Sequence, residues 1–304
     1  GDVIEGPETL DELRANLDNP DPAFVGSAGL APSNNPHVFL TWLAARGGDV
    51  FDRSWRTTPL QSDLSAAALA EYIGETARLG IPFVEYEDER YTPHARMLDG
   101  TATAAVAWAA DAQQILTSSV SDQLRVRRFP EGRRSSSLTG NWLLGIASDA
   151  QRPEAAYDFI TWATSRDIMK TSALLGVPPA RVSLFNDRQL LSRYPWLPDV
   201  QEGLDGAFAR PRIPSWNIIE GILACAVSSG LQRAEVLRAS QDGVDMDSAL
   251  LEIAQEELAY HAALIEVQME EWGFYRGTDY YLANPDALVS GDPRHEWACG
   301  DESR

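Results

Sequence analysis

The chain has 304 residues, with 25 Lys and Arg against 45 Asp and Glu and a formal net charge of −20. That balance excludes nucleic acid and anionic membrane as electrostatic partners. A composition 44% apolar and 23% charged excludes a disordered chain. No apolar run reaches the roughly 18 residues of a membrane-spanning helix, and residues 1–12 are too polar and acidic for a signal peptide.

In chain order, residues 9–17 read as a short helix with Thr9 as N-cap, 24–30 as a strand and 31–36 as a loop. A helix over 38–45 stops at Gly47-Gly48, and 49–58 is an irregular excursion around Trp55. Helix 62–79, apolar at Ala66, Leu69, Ile73 and Ala77, ends at Gly80-Ile81-Pro82. Residues 91–98 read as helix, 103–108 as a buried strand, 111–116 as a helix start and 124–129 as a strand.

The stretch 136–165 is the densest in signals. A polar turn, Gly140-Asn141-Trp142, leads into an apolar run over 143–147 that reads as a buried strand. After a turn, Pro153 suits a first helical position, where its missing N–H costs nothing. Ala156, Phe159, Ile160 and Ala163 then recur on one helical face. Further helices are predicted at 167–175, 187–193, 198–208 and 216–227, with 210–214 held extended by alternating proline. The longest helix, 248–272, has Asp247 as N-cap, an apolar stripe through Leu250, Ile253, Leu258, His261, Leu264, Ile265 and Trp272, and Gly273 at its end. Glu256-Glu257 and Glu270-Glu271 read as its solvated outer face.

These motifs, in this order, resemble the extracellular solute-binding proteins of ABC importers, the sugar-binding, maltose-binding-protein-like group. The resemblance is carried by Thr9-Leu10-Asp11-Glu12-Leu13, by Asn35-Pro36 with Thr41-Trp42 and Arg46-Gly47-Gly48-Asp49, and by Met97-Leu98-Asp99-Gly100 with the strand ending at Trp108. Gly140-x-Trp142 with the helix phrase over 152–165, residues 178–194, and Ala209-Arg210-Pro211-Arg212-Ile213-Pro214 complete it, over roughly 9–273. It implies an α/β fold, periplasmic-binding-protein-like (type II), with the second lobe complete and the first only partial. The implied domains are 9–142 with 191–273 as the second lobe, 143–190 as a segment belonging to the first, and 274–304 as a tail. The family's N-terminal portion has no counterpart, so the apolar faces over 143–186 are expected to be bare unless another chain supplies the missing lobe or the tail folds over them.

The resemblance implies a non-catalytic role: binding a carbohydrate between lobes and delivering it to an ABC permease, in an exported, periplasmic or surface-anchored protein. It requires no cofactor. The implied ligand-binding residues are Asn35, His37, Trp108, Asp111, Asn141, Trp142, Trp216 and Asn217. Tryptophan faces suit sugar C–H surfaces as well as cores; ligand contact is the reading for Trp142 and Trp216, both readings hold for Trp108, and Trp162 and Trp272 read as packing residues. His37, at a loop-to-helix junction, is either a hydrogen-bonding or a solvated residue. Asp111 either accepts hydroxyls or caps a helix. Arg210 and Arg212 read as partners for the excess carboxylates.

No catalytic residues are assigned. The four histidines are scattered, there is no H-E-x-x-H or C-x-x-C spacing for a metal, and no Walker, G-x-S-x-G or dinucleotide loop is present. A carbohydrate-active enzyme and a half-fold that docks a partner chain without small ligand are the alternatives. The two cysteines, Cys225 and Cys299, either bridge the tail to the second lobe or remain as free thiols.

Overall fold

The computed structural model describes residues 8–12, 15, 36–78, 98, 106, 108–110, 126–134, 136–213, 215–240 and 243–276. Its body is helical. α1 (Pro36–Ala45) and α2 (Asp63–Arg78) pack with the two long helices α8 (Trp216–Ser240) and α9 (Met246–Glu271). Between them in sequence lie β1 (Leu138–Thr139), α3 (Pro153–Ala163), α4 (Arg166–Leu174), α5 (Val182–Phe185), α6 (Arg188–Arg193), α7 (Leu197–Asp205) and β2 (Phe208–Ala209). β1 and β2 pair in parallel, Leu138 opposite Phe208 and Thr139 opposite Ala209.

Two hydrophobic cores result. The larger joins Phe39 and Trp42 of α1, Leu69, Tyr72 and Ile73 of α2, Ile219, Leu223 and Val227 of α8, and Leu258, Ile265 and Met269 of α9. The smaller is built within 173–197 from Leu184, Phe185, Leu190, Tyr194, Trp196 and Leu197, with Val126 and Met169 against it.

Local signals are obeyed closely. Thr9 accepts the Glu12 N–H at 3.1 Å while the Glu12 carboxylate accepts the Glu8 and Thr9 N–H groups, a reciprocal cap. α1 ends because Gly47 takes φ +89°, a left-handed turn that lets the Gly48 N–H reach Leu43 O at 2.8 Å. Arg134 then donates to the last carbonyls, Ala44 O at 2.9 Å and Gly48 O. α3 starts at Pro153, and Asp187 caps α6 by accepting the Gln189 and Leu190 N–H groups.

Several expectations are corrected. The run 143–147 forms no strand and is exposed: an apolar strand is held by neighbours on its ladder edges and faces, and no described residue supplies them. α3 has no buried residue, with Tyr157, Phe159 and Trp162 in solvent. Residues 126–129 form no strand. α8 runs on to Ser240 because Leu231 and Ala234 extend its buried face past the polar Ser228 and Ser229. α9 starts one residue after Asp245 rather than after Asp247, and the Asp245 carboxylate accepts the Ser248 hydroxyl at 2.7 Å instead of a helix N–H. Glu257 is fully buried rather than solvated, held by Ser229 Oγ at 2.8 Å and Arg233 Nη1 at 2.9 Å from α8. Of the tail, Phe274 and Tyr275 pack on the main core, and the Tyr275 hydroxyl donates to Glu266 at 2.8 Å. Cys225 is disulfide-bonded; Cys299 lies outside the described residues, as do the readings at 24–30, 91–97, 103–105 and 111–116.

Candidate functional site

The parallel pairing of β1 and β2 decides where the chemistry collects. Gly140 and Arg210 each follow the last residue of their strand, so they leave the pair side by side at its carboxyl end. Ligands of α/β folds bind at that end. Two helix starts meet there as well: His37 is the second residue of α1, and Trp216 and Glu220 stand one turn apart at the start of α8.

Glu220 is the hub. Its Oε1 lies 2.5 Å from His37 Nε2, 3.0 Å from Arg210 Nη1 and 3.2 Å from Trp216 Nε1. A carboxylate oxygen is acceptor-only, so His37 must carry its proton on Nε2 and donate it. Arg210 Nη1 also lies 3.0 Å from His37 Nε2; with that nitrogen protonated, the guanidinium donates to Glu220 instead. Burial pushes the Glu220 carboxyl up, but the hydrogen bonds from His37 and Arg210 outweigh it and hold the group below the usual glutamate value. The charges remain partly solvated, with side-chain exposures of 31% for Arg210, 20% for Glu220 and 17% for His37.

Aromatic rings frame the hub. The Trp108 ring meets His37 edge-on, with centroids 5.2 Å apart and planes at 74°. It also lies over Gly140, where a Cβ would come within 2.6 Å of the indole, so any other residue there would displace the ring. Trp108 is 37% exposed and Trp142, two residues past Gly140, is fully exposed.

His37, Trp108 and Trp216 are therefore brought together, with Asn141 and Trp142 on the adjoining loop. Trp216 is only 6% exposed and belongs to the main core, so the edge of its ring, not its face, reaches the hub. Asn217 is exposed on α8, while Asn35 and Asp111 lie outside the described residues. Sequence reasoning missed Glu220, for which the i, i+4 spacing from Trp216 was the available signal. The open basin of about 940 Å³ lined by Lys170, Leu174, Asp187, Arg188, Gln189, Ser192 and Arg193 shares no residue with this site. There the Lys170 ammonium holds the Asp187 carboxyl below its ordinary value. Among the described residues no group of three His, Cys, Asp or Glu is placed to hold a metal ion, and no helix is long and apolar enough to cross a membrane.

This arrangement has known counterparts in overall shape. The structure matches maltose-bound T. maritima MalE3 with a TM-score of 0.67 at 22% identity, over 84% of this chain and 66% of that chain. The chain has the type II periplasmic-binding-protein fold. A solute-binding protein of an Agrobacterium vitis S4 ABC transporter, solved with bound D-mannitol, shares that fold at a TM-score of 0.66 and 19% identity, over 89% of this chain and 68% of that one. In sequence, a probable amino-acid ABC transporter periplasmic-binding protein of Sinorhizobium fredii is 36% identical over 74 residues, which are 24% of this chain and 17% of that protein. No family model matches. The chain thus spans about two thirds of MalE3 and a smaller share of the curated relative.

Proposed function

We propose that this protein is the solute-binding component of an ABC importer, that it takes an uncharged carbohydrate or polyol at the site around His37, Arg210 and Glu220, and that it delivers this solute to a permease without altering it. The single observation that carries the reading is the convergence at one strand end of aromatic surface (Trp108, Trp142) and fixed polar groups (the Glu220 carboxylate and the Arg210 guanidinium, which uses one nitrogen on Glu220). Sugar recognition needs both, an apolar face for C–H groups and directed hydrogen bonds for hydroxyls. The fold neighbours solved with maltose and with D-mannitol support the ligand class.

On this reading the protein works outside the cytoplasm, and the disulfide at Cys225 suits an oxidising compartment. Ligand would bind between lobes and favour the closed arrangement, which the permease reads. On the same reading the segment 143–190 belongs to the other lobe, and the exposed apolar faces of 142–147 and α3 would lie on that lobe.

Calorimetric titration with maltose, D-mannitol, D-tagatose and a set of amino acids tests the proposal. Saturable binding of a sugar or polyol, recovered chemically unchanged, is the expected result. Binding of amino acids alone would replace the ligand class. Hydrolysis of an oligosaccharide on incubation would replace a binding role with an enzymatic one.

A further inference from the structure

The geometry points to Glu220 as the residue that sets charge selectivity: by cancelling Arg210 it makes the site accept uncharged polyhydroxy ligands and turn away their carboxylate-bearing counterparts. This rests on the solute-binding reading above and adds to it the residue that decides between two ligand classes.

Arg210 stands directly after β2, beside the Gly140-Asn141-Trp142 turn. Left unpaired there, its guanidinium would present the planar fork that binds carboxylates through two parallel hydrogen bonds. Glu220 pre-empts that use. Its Oε1 takes Arg210 Nη1 at 3.0 Å, and in the same place receives His37 Nε2 at 2.5 Å and Trp216 Nε1 at 3.2 Å. Three donors on one oxygen fix the carboxylate, and Trp216, buried in the core, anchors the donor side. The partial burial of the pair keeps the attraction stronger than at an open surface. A ligand arriving at Arg210 therefore meets a balanced charge pair. Hydroxyls can still accept from the guanidinium nitrogens that Glu220 leaves over. A ligand carboxylate would instead be set beside Glu220, and like charges at that range are a repulsive element of the kind specific sites use against wrong partners.

A purely structural pair makes a different prediction. It would hold the start of α8 against α1, and its loss would weaken all ligands alike. The test is therefore a ratio. Maltose and D-mannitol serve as neutral probes, with maltobionate and D-mannonate as their carboxylate counterparts, titrated calorimetrically into the full chain. In Glu220→Gln, which keeps size and an acceptor oxygen, the ratio of anionic to neutral affinity should rise by about tenfold. In the double variant Arg210→Gln/Glu220→Gln, with neither charge present, it should fall back toward the wild-type value.

Should Glu220→Gln lose its circular-dichroism signature of folding, Arg210→Gln alone carries the test. It leaves Glu220 uncancelled and should lower the ratio by about tenfold. A ratio that does not move in the folded variants overturns the assignment while leaving the solute-binding reading intact. Wild-type protein that binds none of maltose, D-mannitol and D-tagatose overturns that reading and this inference with it.

Discussion

α9 and α3 are both amphipathic by pattern, yet one is a pillar and the other is bare. Along α9, Leu250, Ile253, Leu258, His261 and Ile265 are buried against α2 and α8. Along α3, Phe159 is 55% exposed and Trp162 56%, their rings 5.7 Å apart. The difference is not one of helix formation, since α3 has its proline start and both helices are regular throughout their lengths. It is one of neighbours. A stripe of apolar residues states that a surface is to be covered, and only the rest of the fold determines whether it is. Among the described residues, α3 and the run 142–147 keep their apolar faces uncovered, whereas the helical body covers its own.

Substitutions can break or sharpen that contrast. The largest effect is expected in the completed core. Trp42→Ala and Trp216→Ala should each cost about 3 to 5 kcal/mol, since both indoles are buried. Chemical denaturation reads this, and a cost under about 1 kcal/mol for either would mean the core is looser than described. Leu258→Ala, in the centre of α9, follows at about 2 to 5 kcal/mol.

Next in size is the buried Glu257. Replacing it with Ala strands Arg233 and Ser229 without their acceptor and should cost about 1.5 to 3 kcal/mol. The half-exposed Arg233 side chain keeps the figure below that of a sealed ion pair. Had Glu257 been on the outer face, the same substitution would be nearly silent.

At the small end, Phe159→Ala and Tyr157→Ala on α3 should shift stability of the isolated chain by no more than about 0.5 kcal/mol, because both side chains already lie in water. The same pair tests whether anything covers α3 in another context. A loss of several kcal/mol in a longer polypeptide or a complex would show that this face is used there.

The hub adds a pH-dependent term. Glu220 is held below the ordinary glutamate value in the folded protein, so on acidification the unfolded chain takes up its proton first. The stabilisation is present above the ordinary value and is lost as pH falls through the lower, folded one. The stability gap between wild type and Glu220→Gln should therefore shrink between about pH 5 and pH 3 in thermal melts. A gap that widens there would mean the carboxyl is not held ionised.

Much of the fold was legible wherever a local rule decides. Gly47 and Gly273, both at positive φ, and the proline start of α3 at Pro153 could be read from the residues themselves, while Asp187, read as the first residue of a helix, is its cap. What escaped depends on distant partners. The run 143–147 is apolar in the manner of a buried strand, but strand structure is a property of pairs and no described residue pairs with it. Glu257 looks like its neighbour Glu256 on a helical surface, and only the approach of Arg233 from α8 makes burial tolerable. In the site, the aromatic positions were visible because a tryptophan in a polar turn, such as Trp142, stands out from its surroundings. Glu220 was not, since a glutamate on an amphipathic helix is ordinary until His37 and Arg210 arrive from 183 and 10 residues away. The pairing of Arg210 with a carboxylate was anticipated, though not the partner.

Trp142 and Trp162, the two most exposed tryptophans among the described residues, offer the most direct test of the account. Trp142 sits on the loop beside the His37–Glu220 hub, while Trp162 sits on the bare face of α3. Stacking on a sugar contributes on the order of 1 to 2 kcal/mol, so Trp142→Ala should weaken binding of the neutral sugar that titrates the protein about tenfold, and Trp162→Ala should leave it within twofold. Equal affinities in the two variants, or a larger loss in Trp162→Ala, would contradict the placement of the ligand at the carboxyl ends of β1 and β2.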